Sequence, residues 1–258
     1  MLGEALAYPF VLLRRRPVTV LGIALLVLAL STLVDYCYYQ FIGTRRSSDV
    51  ATFALRFFSL YALRSIAHAP MATILVAALV DLKRRANPSA LSDWMRTLAV
   101  SLVFLLLVVT PFETGALMLA QHLGNSGAWL AAILNYVAYA LVVLPFVFAW
   151  AHTLAMEHFT FFRSVSLLRG RVWTVTINLT PVFILVGLAS VASSLLYARL
   201  ATALMEWDES LARSAYTLLY VAISESVSIA AGFIFDTTVV YLYARVVPQP
   251  PHIVAEHF

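Results

Sequence analysis

Six long apolar stretches, at about 17–38, 53–82, 95–120, 128–150, 172–198 and 215–245, alternate along this chain with short segments crowded with arginine. Each is long enough to supply the roughly 20 helical residues that cross the hydrocarbon core of a bilayer. None shows the alternation of apolar and polar residues that a barrel strand requires, and all are far longer than such a strand. The pattern predicts an all-α polytopic membrane protein with six transmembrane helices, and a single transmembrane domain over 1–258. The second and sixth stretches exceed the required length, so they must tilt, kink or emerge. Pro70, Pro111, Pro145 and Pro181 fall within spans, where neighbouring helices can satisfy the carbonyls that a proline leaves without a donor.

The polar segments between the spans are themselves patterned. "YPFVLLRRRPVTVLGIALL", "LKRRANPSALSDWMRTLAVSLVFLLL" and "FTFFRSVSLLRGRVWTVTINLTPVFIL" each feed an odd-numbered span, and aligning Pro17, Trp94 and Trp173 as entry points gives offsets of 77 and 79 residues. Each unit then carries one span out and one back, which predicts three parallel two-helix repeats, 1–82, 83–157 and 158–245, followed by a short tail, 246–258. Parallel repeats of this kind imply an axis along the membrane normal. In the third segment Phe159, Phe162, Val165 and Leu168 trace an apolar face beside a basic one, suited to the headgroup layer. In the second, Asn87 reads as a helix N-cap with Pro88 at the first helical position.

Charge placement sets the orientation. One side of the six-span layout receives eleven basic residues: Arg14, Arg15, Arg16, Lys83, Arg84, Arg85, Arg96, Arg163, Arg169, Arg171 and Arg245. The other receives Arg45, Arg46, Arg199 and Arg213, beside the acidic Glu206, Asp208 and Glu209. The positive-inside rule puts both termini in the cytoplasm. "RRR" before the first apolar run resembles the start of a signal peptide, but the run is about 18 residues rather than 7–15 and no A-x-A site follows, so it reads as an uncleaved span. Because each basic side chain near an anionic leaflet contributes about 1 kcal/mol, Arg14, Arg15, Arg16, Lys83, Arg84, Arg85, Arg163, Arg169 and Arg171 are candidate contacts for anionic lipid headgroups.

Composition strengthens the membrane reading. The chain is 62% hydrophobic and 12% charged, against roughly 45–50% and 25% in soluble domains, a surplus that no water-soluble core can bury. The single cysteine, Cys37, excludes an intramolecular disulfide.

The six spans, the basic segments with a Trp at the threshold of an odd span, and a last span ending "TTVVYLYARV" resemble the glycerophosphodiester-phosphodiesterase membrane-domain family and its stand-alone bacterial relatives. Thr237, Thr238, Tyr241, Tyr243 and Arg245 carry that resemblance, although an aromatic belt with a basic end would supply similar residues. The family usually ends this motif with a more acidic residue, where this chain has Ala244. The resemblance implies a multi-pass protein of the bacterial inner membrane, and it brings no catalytic activity, because phosphodiesterase chemistry belongs to a separate soluble domain.

Catalytic motifs do not offer an alternative. The chain contains no GxxxxGK[ST], HExxH, GxSxG or CxxC, and its glycines form no phosphate-cradling loop. His152, Glu157 and His158 are close in sequence, but residues six apart sit roughly 240° apart around a helix, so the histidines share no face. No metal site, cofactor or catalytic group is expected.

The strongest candidate chemistry is the set of ionisable residues within the spans, because a charge at mid-bilayer costs about 2.5–3.5 kcal/mol by insertion scales and has to pair or face water. Glu225 and Asp236 are eleven residues apart, three helical turns plus roughly 20°, and so share a face with Ser228 and Gly232. Counting inward at ~1.5 Å per residue puts Asp236 ~14 Å from the arginine-rich side, Glu225 ~30 Å and Arg64 ~25 Å, with Glu113 near the height of Arg64. The expectation is an intramembrane polar network of Arg64, His68, Glu113, Glu225 and Asp236, with Asp35 and Arg56 at its rim. Asp236 has no arginine at its depth, which leaves Asn135, Asn178, Tyr139 or its own proton to satisfy it. Such a network suits a non-enzymatic scaffold, accessory subunit or lipid-interacting factor, whose partners are membrane lipids and a membrane protein or second copy. The alternative is a small transporter or channel for protons, an anionic solute or lipid.

Overall fold

The computed structural model describes residues 2–41, 50–85, 89–115, 118, 144–207 and 209–248. Among them helix dominates and there is no strand. Five helical segments are long and apolar enough to cross a membrane: Pro17–Tyr38, Val50–Asp81, Ala90–Gly115, Val172–Ala189 and Ala222–Val246. Most of the expected span at 128–150 lies outside the described residues. The described part of that region is a short apolar segment, Leu144–Met156, below spanning length.

Helix α1 (Leu2–Arg15) precedes α2 (Pro17–Phe41). The break falls where Pro17, which has no N–H, is tolerated as the first residue of a new helix. Ala5, Tyr8 and Leu12 are all buried, a stripe at helical spacing, while Arg14, Arg15 and Arg16 are exposed. The long second stretch divides into α3 (Val50–His68) and α4 (Ala72–Asp81) about a 3₁₀ turn, Ala69–Met71. Pro70 inside that turn removes a helical hydrogen bond and its ring crowds the preceding turn, so the excess length is absorbed as a kink.

Helix α4 ends in a left-handed residue, Lys83, at φ 54. The amide of Arg84 donates to the Leu79 carbonyl at 2.8 Å and that of Lys83 to Val80 at 3.0 Å, the pair of bonds of a Schellman cap. Helix α5 (Ala90–Phe104) is capped by Ser89, not by Asn87, which with Pro88 lies outside the described residues. Asp93 reaches back to accept the Ser89 amide at 3.1 Å. The same helix passes into a π-helical turn, Leu105–Val109, just before Pro111. Helices α6 (Ala149–Met156) and α7 (Arg163–Leu167) lead into α8 (Val172–Trp207) and α9 (Glu209–Val246). Both last helices outrun their apolar stretches.

Helix α9 packs against α8, α2, α1, α4 and α6. Residues 237–244 are all buried, because neighbours surround this end of the helix. Tyr241 and Tyr243, at 5% and 0% exposure, are therefore core residues rather than members of an aromatic belt. The outer surface is apolar instead: Val18, Leu91 and Trp173 are 85%, 73% and 79% exposed, as expected of a protein solvated by lipid chains. Trp94 joins α5 to α4, its indole N–H donating to Thr73 Oγ1 at 2.9 Å.

Helix α1 is fastened to this core by polar bonds. The Tyr8 hydroxyl donates to the Ala78 carbonyl at 3.2 Å, and the Tyr241 hydroxyl to Glu4 Oε2 at 2.8 Å. The Tyr8 and Tyr241 rings stand 5.2 Å apart. Burial pushes the Tyr8 phenol pKa up. The hydrogen bond from Tyr241, helped by the nearby Arg245, holds the Glu4 carboxyl below the ordinary glutamate range. A lowered folded-state pKa contributes stability at pH values above the ordinary range and loses it as pH falls through the lowered value. Amide protection in α1 should accordingly decrease on acidification through that window, read by hydrogen exchange, and Glu4→Gln should flatten the pH dependence. Identical pH profiles for the two proteins would remove Glu4 as the cause.

Candidate functional site

Two polar centres occupy opposite ends of the bundle, with an apolar cavity between α9 and its neighbours. The first joins α2, α3 and α9. Arg64 Nε donates to Asp35 Oδ1 at 2.7 Å, and a second guanidinium nitrogen bonds Asp35 Oδ2, giving a two-point clasp. That second nitrogen also lies 3.4 Å from Glu225 Oε1, and His68 Nε2 lies 3.6 Å from Glu225 Oε2. The guanidinium stacks over Tyr61, 5.3 Å from its ring centre. Asp35 and Glu225 are 2% and 3% exposed, so water compensates neither. One arginine faces two buried carboxylates, and only an imidazolium at His68 would bring the cluster to neutrality.

This arrangement revises the expected network at two positions. Asp35 sits at the centre and not at the rim, because α2 continues to Phe41 and carries Asp35 well inside its end. Glu113 takes part in no ion pair among the described residues. A π turn adds a residue and rotates everything after it relative to a continuous α-helix, so the height of Glu113 survives the π turn at Leu105–Val109 but its facing does not. Arg56, at the expected rim, accepts a hydrogen bond from the Tyr38 hydroxyl through its carbonyl at 2.9 Å.

Asp236 stands apart from the ion network. It lines a cavity of about 510 Å³ together with His68, Thr97, Trp150 and Gly232. The expected partner Asn178 turns elsewhere, its amide donating to the Thr174 carbonyl at 2.6 Å. Asn135 and Tyr139 lie outside the described residues. Thr237 and Thr238 donate to carbonyls of their own helix, which satisfies hydroxyls that would otherwise be stranded among apolar neighbours.

The second centre lies at the arginine-rich end. Arg84 donates to the carbonyl of Ala244, and Arg171 to that of Val246. These carbonyls belong to the last turn of α9, where no helical donor remains and the helix dipole favours cations. Arg16 pairs with Asp81 at 2.7 Å. One residue from each basic segment is thereby gathered around the ends of α4 and α9. Arg84 is 7% exposed and its Nη1 has no hydrogen-bond partner. Burial pushes its pKa down from the ordinary arginine value. It borders a cavity of about 440 Å³ shared with Lys83 and Arg245.

Arg85 departs from the headgroup expectation altogether. At 4% exposure it donates to Asp93 Oδ1 at 2.8 Å and to the Leu154 carbonyl at 3.0 Å, and it pairs with Glu157 at 3.2 Å. Arg96 reaches the same Asp93 oxygen at 2.9 Å. Arg84 is likewise too buried to reach a bilayer surface directly. In contrast Arg14, Arg15, Arg16, Lys83, Arg163 and Arg169 are exposed, and Arg171 is half-buried. Sequence reasoning missed Asp93, whose signal was a lone carboxylate within an arginine-rich segment. His152 Nδ1 lies 2.9 Å from the Tyr243 hydroxyl, and among the described residues no group of three or more His, Cys, Asp or Glu could hold a metal ion.

The energetic contrast between the two revised acids is testable. Truncating one partner of a buried ion cluster costs about 3–5 kcal/mol because the remaining charges stay unpaired. Arg64→Leu should lower stability by about that amount in a denaturant titration of the detergent-solubilised protein. Glu113→Gln should stay within about 0.5 kcal/mol. Equal losses for the two would return Glu113 to the network.

Comparison of the chain with protein-family models, with curated proteins and with solved structures finds no match.

Proposed function

We propose that this chain is a non-enzymatic lipid-interacting factor that collects an anionic headgroup at the arginine-rich end of its bundle. The supporting observation is the gathering of Arg16, Arg84 and Arg171 around the ends of α4 and α9. Arg84 offers an unused N–H beside a cavity edged by Lys83 and Arg245. Arginine N–H groups and a lysine ammonium are the donors that bind phosphate oxygens. The α9 carbonyls hold the arginines in place, and the exposed Arg14, Arg15, Arg163 and Arg169 add field at the same end.

In this reading the chain has six spans arranged as three parallel two-helix repeats, resembles the glycerophosphodiester-phosphodiesterase membrane-domain family, and resides in the bacterial inner membrane with both termini in the cytoplasm. The excess of eleven basic residues over four supports that orientation. The headgroup then comes from the anionic cytoplasmic leaflet. Native mass spectrometry in mild detergent should retain an anionic phospholipid on the protein, and Lys83→Glu with Arg245→Glu should reduce the retained fraction severalfold. Both side chains are exposed, so the fold should tolerate the change. Absence of lipid from the parent protein, or equal retention by the variant, defeats the proposal.

A second reading is a small proton or solute transporter. It rests on His68, which lies 3.6 Å from Glu225 and also lines the cavity that contains Asp236, giving titratable groups in sequence through the membrane. In proteoliposomes with an imposed pH gradient, proton flux should fall at least tenfold in Glu225→Gln and in Asp236→Asn. Flux equal to that of empty liposomes in the parent protein removes this reading.

A further inference from the structure

The cavity between α4, α5, α6, α8 and α9 presents a combination of side chains that neither proposed activity uses. One carboxylate, Asp236, opens onto about 510 Å³ of otherwise largely apolar space. Two aromatic pairs also line it. Phe104 and Trp150 meet edge to face with centroids 5.1 Å apart, and Phe183 and Phe235 are tilted at 5.3 Å. The indole N–H of Trp150 is already donated to Ser101 Oγ at 3.1 Å, so this pair offers the cavity π surface and no free donor. Thr97, 8% exposed on the same wall, has an Oγ1 without a hydrogen-bond partner.

Among the described residues Asp236 makes no hydrogen bond or ion pair. His68 is the one basic side chain lining this cavity among the described residues, and it is drawn toward Glu225. A carboxylate in low dielectric, oxygen lone pairs and aromatic faces all favour the same guest charge. The remaining apolar wall favours a guest whose charge is carried on a hydrophobic body. We infer that this cavity is a binding site for a lipophilic monocation, with Asp236 as counterion and the Phe104–Trp150 and Phe183–Phe235 pairs as its aromatic walls. An anion would meet the Asp236 charge without a compensating donor, and a neutral acyl chain would leave the carboxylate unpaired at a cost of several kcal/mol. The inference is independent of the headgroup reading, which concerns the opposite charge at the end of the bundle.

Gly232 supplies a test that leaves the carboxylate in place. It lines the cavity, and a side chain built there meets no heavy atom within 4 Å, so Gly232→Leu occupies the guest's volume without displacing a neighbour. Equilibrium binding of radiolabelled tetraphenylphosphonium to the whole protein in nanodiscs, less binding to empty nanodiscs, is the measurement. The parent protein should bind saturably. Asp236→Asn should weaken binding at least tenfold, Asp236→Glu should remain within a fewfold of the parent, and Gly232→Leu should weaken binding at least tenfold. Lack of saturable binding by the parent overturns the inference, and so does equal affinity in Asp236→Asn, which would signify apolar partition alone. If Asp236→Asn does not fold, unchanged binding by Gly232→Leu overturns it instead.

Discussion

The open carbonyls at the end of α9 are the constraint around which the arginine-rich half of the molecule is organised. A helix ends with four acceptors that its own backbone cannot satisfy, and here they lie among apolar neighbours instead of in water. Arg84 arrives from the turn after α4 and Arg171 from the turn before α8, each taking one carbonyl. The Schellman cap on α4, with Lys83 in the left-handed conformation, aims Arg84 at its target. Capping and tertiary packing are thus one interaction: the residues that finish α9 also position α4 and α8 against it.

The other end meets the same physical problem with different chemistry. Asp35 and Glu225 are carboxylates with negligible access to solvent, and Arg64 answers both. Its planar guanidinium can hold Asp35 through two nitrogens and still approach Glu225, which a lysine point charge could not arrange. Three helices separated in sequence are tied through one side chain. Interhelical polar contacts in membranes contribute modestly on average, so the role of this cluster is chiefly to avoid unpaired charge and to fix which faces meet.

Much of this was legible in the sequence because lipid imposes simple rules. Apolar run length located five spanning segments, and the ~20° offset between Glu225 and Asp236 correctly put both on one face. Arg64 and Glu225 were matched by depth alone. Depth failed for Glu113, since a π turn leaves height nearly unchanged while rotating the residues beyond it. It failed for Arg84 and Arg85 in another way. Positive-inside counting treats every basic residue near a span as a surface charge, whereas these two find acceptors in the bundle: α9 carbonyls for Arg84, and Asp93, Leu154 and Glu157 for Arg85. A basic residue beside a helix terminus or a lone acid is as much a candidate for internal pairing as for a headgroup. Tyr241 and Tyr243 teach the related lesson that aromatic residues near a span end become core when other helices enclose that end.

The enclosure of residues 237–244 also bears on how the protein is made. Helix α9 comes after every helix it packs against in the chain, so its slot is outlined before the occupant is synthesised. During that interval Asp35 and Arg64 can already pair, but Arg84 and Arg171 have no carbonyls to hold and the walls of the cavity lack Phe235 and Asp236. The bundle therefore passes through a stage in which lipid or a neighbouring chain fills the place of its own central helix. Delivery of that helix is the event that converts a set of inserted spans into a finished molecule.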